Sequence, residues 1–102
     1  MYNLEITELA QDDLTGIVDY IAVQLANPIA AGSFLDEVAQ CYGHLKNNPF
    51  IYPKSKDSRL AKEGYRKALI KNYILMFKVF EDTHKVMLYR IFYSARDYEK
   101  LL

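Results

Sequence analysis

Three strand-like runs sit close together in the second half of the chain, at residues 65–70, 73–80 and 86–93, and only residues 71–72 and 81–85 separate them. Gaps this short cannot carry a crossover, so the runs must pair antiparallel through hairpin turns. The middle run, YILMFKVF, is apolar but for Lys78, as a central strand covered on one face and shielded on the other should be. Whatever precedes these runs has to cover that sheet.

The first half supplies the cover. Tyr2, Leu4 and Ile6 alternate with polar residues over 2–6, which predicts a strand. Thr7 then caps a helix over about 8–25 whose apolar positions Leu14, Ile17, Val18, Ile21 and Leu25 recur at helical spacing. Asn27-Pro28 stops it and starts another, with a fresh cap and proline at the first helical position. The second helix carries Phe34, Leu35, Val38, Cys41, Tyr42 and Leu45 on one stripe and ends at Asn47-Asn48-Pro49. The short junction predicts an antiparallel helix hairpin.

The order is therefore β-α-α-β-β-β in an α+β fold, with the hairpin packed on one face of a small, mainly antiparallel sheet. A short tail follows from Ala95. At 102 residues the chain makes one domain, 1–102, with one core. The other sheet face is expected to stay open as a binding surface, rimmed by the tail and by residues 49–64. That stretch holds Lys54, Lys56, Arg59 and Lys62 beside Pro49, Pro53 and Gly64 and reads as a basic loop.

Composition narrows the functional classes. No apolar stretch approaches the roughly 20 residues of a membrane span, and Met1 to Ala10 has no basic start followed by an apolar run, so a soluble, unexported, cytoplasmic protein is expected. Cys41 is the only cysteine, which excludes an internal disulfide and a thiolate zinc cage and fits a buried thiol. The net charge of zero conceals a split. Residues 1–40 contain seven acids and no lysine or arginine, while residues 41–102 contain all 13 basic residues and six acids. Such a chain has a two-signed surface unless folding interleaves the halves, and its basic half suits phosphates or an acidic partner.

The stretches YRKALIKNYILMFKV (65–79) and YRIFYSARDYEKLL (89–102), with the element order, resemble the RelE/ParE superfamily of type II toxin-antitoxin toxins. The likeness spans essentially the whole chain. It is strongest where Gly64-Tyr65-Arg66 leads one strand, Asn72-Tyr73 precedes the next, and Arg96-Asp97-Tyr98 and Leu101-Leu102 close the tail. The resemblance implies one of two activities. RelE-like members cleave mRNA in the ribosomal A site, whereas ParE-like members poison DNA gyrase and cut no RNA; a cognate antitoxin holds both inactive.

Cleaving RNA through its own 2′-hydroxyl needs a base, an acid and cations around the phosphate, and neither metal nor cofactor. The resemblance points to Arg66 and Arg90 for the phosphate and to Lys54 and Lys56 in the place of catalytic lysines. Arg59, Lys62, Tyr93, Arg96 and Tyr98 would bind substrate, tyrosine offering a face on which an unpaired base stacks. Strict alternation puts Arg90 in register with Val86, Leu88 and Phe92, and opposite in parity to Tyr93. The pairs Arg90/Tyr93 and Arg96/Tyr98 both match the family's late arginine and tyrosine. YoeB-like members pair a glutamate with a late histidine before the tyrosine; here Phe92 precedes Tyr93, and His44 and His84 lie elsewhere. The basic loop and aromatic tail lead to a metal-independent mRNA endonuclease, the missing histidine to a gyrase poison, and a relic that only binds its antitoxin is the third reading.

Overall fold

The computed structural model describes residues 1–102. Strands β1 (Asn3–Ile6), β2 (Arg66–Ile70), β3 (Tyr73–Phe80) and β4 (Lys85–Tyr93) form one sheet in the order β1-β4-β3-β2. The last three make the expected antiparallel meander, with Ala68 opposite Leu75 and Leu75 opposite Ile91. β1 lies parallel to β4, Leu4 beside Val86, so the sheet is mixed and the chain's first strand joins its last.

Helix α1 (Glu8–Asp19) starts where Thr7 Oγ1 accepts the Ala10 amide at 3.0 Å. The same hydroxyl donates to the Tyr89 carbonyl at 2.7 Å, so the cap also ties the helix start to β4. Beyond Asp19 the chain continues as a π-wound turn, Tyr20–Gln24, before Ala26 adopts the left-handed φ of 48°. Asn27 Oδ1 then caps α2 (Pro28–Asn47) by accepting the Ala30 amide at 3.1 Å. The two helices cover one sheet face. Phe34, Val38, Cys41 and Leu45 of α2 pack there on Leu75, Phe77, Val86, Leu88 and Ile91 of the sheet. Full burial of side chains such as Phe34 and Phe77 stabilises the fold by about 2–3 kcal/mol each.

The basic stretch departs from the loop expected of it. It contains a short helix α3 (Ser58–Lys62), capped by Asp57 Oδ1 accepting the Leu60 amide at 3.0 Å. Leu60 is fully buried under the second sheet face, in a cluster with Tyr65, Ile74, Met76, Phe92 and Tyr98. The face expected to stand open is thus partly closed by α3 and by a 3₁₀ turn at Tyr98–Leu101. One isolated apolar residue in a cationic segment was enough to hold a helix down, because the sheet below it offers Met76 and Ile74.

Candidate functional site

The geometry of the site depends on a bulge in β4. Leu88 lies opposite Phe77 but Arg90 lies opposite Met76, so Tyr89 is an extra residue with no partner across the ladder. Tyr89 and Arg90 consequently point to the same face. Arg90 shares that face with Phe92, its guanidinium 4.7 Å from the ring centre, whereas Val86 and Leu88 belong to the helix-covered core. The single alternating register expected from 86 to 92 is broken at this point.

β1 ends at Ile6, which leaves the β4 edge beyond Leu88 open, and α1 runs along it. Asp13 fills the gap. Its carboxylate accepts Arg90 Nε at 2.8 Å and Nη2 at 3.0 Å, and also the Ile91 amide at 2.9 Å. Both charged side chains are under a fifth exposed. The forked pair satisfies three donors with one carboxylate and spends the charge of Arg90 inside the protein.

The other predicted residues fall into separate places. Arg66 donates from Nη1 to the Tyr52 carbonyl at 2.7 Å and lies 4.9 Å from the Phe50 ring centre. With Lys54 it lines a shallow groove of about 460 Å³ that also has Phe80, Glu81 and Asp82 on its walls. Lys56 and Lys62 are exposed. Arg59 reaches back to Glu63 at 2.6 Å and donates to the carbonyls of Glu99 (2.6 Å) and Leu102 (3.3 Å), so it fastens the tail to α3. Tyr98, 8% exposed, stacks on Phe92 with ring centres 5.6 Å apart. Arg96 is exposed and 5.9 Å from the Phe92 ring centre. Tyr93, half exposed, leans edge-on against Tyr73.

Tyr93 and Arg96 line the larger groove, about 690 Å³, between α1 and the end of β4. Its walls include Ile17, Tyr20, Leu25 and Tyr73, with Asp12 at the rim. Sequence reasoning passed over Asp13 and Tyr20. The signal was present in the spacing of Asp13, Gly16, Ile17 and Tyr20, which puts one acid, one gap, one aliphatic and one aromatic on a single helix stripe. Elsewhere the hydroxyl of Tyr42 is buried without a partner, and burial, with Cys41 beside it, pushes it up to about 12. Burial raises the Cys41 thiol as well, a hydrogen bond with Tyr52 acting against that rise.

The family model described as "ParE toxin of type II toxin-antitoxin system, parDE" matches residues 4–98. The chain belongs to this toxin family. Solved structures share the toxin's fold. One, from the chromosomal ParDE toxin-antitoxin system of P. aeruginosa, aligns with a TM-score of 0.68 at 21% identity over 89% of this chain and 94% of that one. Another, from the RelBE2 toxin-antitoxin complex of Mycobacterium tuberculosis, aligns with a TM-score of 0.61 at 20% identity over 90% of this chain and 96% of that one. No curated protein sequence is significantly similar to the toxin. No helix of the toxin is long and apolar enough to cross a membrane.

Proposed function

We propose that this toxin acts in the cytoplasm by occupying a protein target, DNA gyrase, in the manner of ParE-like members, and that a cognate antitoxin holds it inactive until released. One observation carries the reading: the cations that a nuclease would gather around one phosphate are divided among different jobs. Arg90 is neutralised by Asp13, Arg59 fastens the tail, Arg66 is bonded to a carbonyl and Arg96 lines a different groove from Arg66. A lysine base works from a partly buried, cation-flanked position. Lys56 is exposed, and Lys54, although beside Arg66 in a shallow groove, is exposed too rather than partly buried.

The nuclease reading keeps one observation on its side. Lys54, Arg66 and the Phe50 ring share a groove in which a nucleotide's phosphate and base would both find a partner. The two readings separate in a pair of assays on the purified toxin. Inhibition of gyrase supercoiling with intact mRNA on A-site-programmed ribosomes supports the protein-target reading. Discrete A-site cuts that disappear in Arg66→Ala sink it.

A further inference from the structure

The charge split of the sequence survives folding on one side of the molecule. Three ion pairs join the acidic first forty residues to the basic remainder: Glu5 to Lys85 at 3.3 Å, Asp13 to Arg90 at 2.8 Å and Glu37 to Lys71 at 3.7 Å. Glu8, Asp12 and Asp19 are exposed on α1 without an ion pair, and residues 1–40 contain no lysine or arginine to answer them. Every charge on the outer face of α1 is therefore negative.

That acidic face ends at an apolar one. From Tyr20 to Leu35 the sequence has no charged residue, yet Tyr20, Val23 and Leu25 are 49%, 69% and 55% exposed at the tip of the hairpin. Tyr20 is the ridge between two adjoining grooves. One is the tyrosine-walled groove of about 690 Å³ with Asp12 at its rim; the other, about 470 Å³, runs between Asp19 and Val23. Gly16 borders both, and a β-carbon placed there would meet nothing within 4 Å, so the floor is open to an incoming side chain. An exposed apolar surface whose α1 edge carries only acids, with Arg96 alone at its far end, specifies its partner: apolar anchors flanked on that edge by the opposite sign.

We propose that the grooves beside Tyr20 dock a basic amphipathic helix of the toxin's protein target, a step that rests on the protein-target reading above. Its apolar side chains enter between Tyr20, Tyr73 and Tyr93, and its lysines or arginines meet Asp12 and Asp19. Arg96, at the β4 end of the larger groove, sets the direction, because a cation there favours the partner helix's C-terminal end, where the peptide dipoles leave partial negative charge. An acidic antitoxin segment is repelled from this side and drawn to the exposed Lys54, Lys56 and Lys62. The toxin then meets target and inhibitor on opposite signs of its own surface.

The toxin has no tryptophan, so a synthetic amphipathic helix carrying one reports binding by fluorescence. The probe has leucine on one face and lysine on the other, and its control replaces lysine by glutamate. The lysine helix should bind at least about tenfold tighter than its control, lose affinity as salt rises, and bind about tenfold more weakly to Asp12→Lys/Asp19→Lys. Equal binding of the two helices, or unchanged binding by the variant, overturns the proposal. In cells the same variant, its fold checked by thermal melting, should lose growth arrest and still co-purify with the antitoxin. Retained arrest with lost antitoxin binding assigns the grooves to the antitoxin and also overturns it. Cleavage of mRNA by the wild-type toxin would bring down the protein-target reading itself, in a separate assay that the peptide titration does not touch.

Discussion

Asp13 on α1 grips Arg90 on β4 through two guanidinium nitrogens and, with the same carboxylate, takes the backbone amide of the next residue, Ile91. The contact joins residues 77 apart in sequence and closes the strand edge that β1 is too short to reach. Removing Asp13 strands a mostly buried cation and an unpaired amide together. Asp13→Ala should cost about 2–3 kcal/mol, somewhat under the range for fully buried pairs because water reaches both side chains. The double variant Asp13→Ala/Arg90→Met should recover part of that loss, since no charge is left unanswered. Urea unfolding of the singles and the double measures it; strict additivity would show that the pair is not coupled.

Lys54 and Lys56 offer the sharpest contrast between the two activities. Loss of a general base slows a reaction by about 10²–10⁴-fold, enough to abolish growth arrest by a nuclease. For a toxin that occupies gyrase, Lys54→Ala/Lys56→Ala should leave arrest intact and weaken only the hold of an acidic antitoxin. Arg66→Ala should behave as a stability variant, costing about 1–2 kcal/mol through its lost bond to the Tyr52 carbonyl and its lost ring contact with Phe50. Growth curves under induction, read beside thermal melts of each variant, separate lost activity from lost fold.

Tyr42 carries a cost that substitution can remove. Its hydroxyl is buried with no partner, so Tyr42→Phe deletes an unmet polar group and leaves the ring in place. A gain of about 1 kcal/mol is expected, raising Tm by about 4–8 °C in a domain of this size. Ionisation of the same hydroxyl has a second effect. The folded hydroxyl is pushed to about 12, above the unfolded value of about 10, so the unfolded chain releases its proton first. Its contribution to stability is therefore whole below about pH 10 and is lost as pH climbs through about 12. Burial raises Tyr52, Tyr65, Tyr73, Tyr89 and Tyr98 in the same direction, so the wild type should unfold readily in alkali. Tyr42→Phe should move that alkaline transition to higher pH, and circular dichroism across a pH series checks it.

The element order was legible because strong local signals agreed with the global fold. Thr7 and Asn27 cap the helices they were expected to cap, and the two hairpin turns lie where the apolar runs break. What was not legible involved contacts distant in sequence. The parallel seat of β1 beside β4 is set by the helices it must escort, and no pattern within residues 2–6 encodes it. Helix α3 has the cap and the closing Gly64 of a helix, but with Leu60 as its one buried residue it shows no period to read. The setting of Arg90 was hidden for a related reason. Alternation along 86–92 predicts one face for Arg90, and a bulge opposite Met76 and Phe77 delivers the other, beside Phe92 and within reach of Asp13. A one-residue offset decides whether that arginine is a ligand group or a strut, and it depends on which strand edge α1 covers.

The tail gives the last prediction. Tyr98 stacks on Phe92 in the second core, and Arg59 on α3 holds the following turn through the carbonyls of Glu99 and Leu102. The two contacts differ in kind. Tyr98→Ala empties a packed aromatic site and should cost about 3 kcal/mol, at the lower end for such losses because the ring lies at the margin of the cluster. Arg59→Ala removes a pair with Glu63 whose side chains are about half exposed, so the global effect should stay under about 1 kcal/mol. Its effect should be local instead, with the last turn opening more often while the sheet stays closed. Hydrogen exchange resolves the difference: Arg59→Ala should speed exchange at 98–102 and leave the β3 amides unchanged. If the β3 amides speed up equally, the tail and the sheet open as one unit, and the turn is an integral part of the second core.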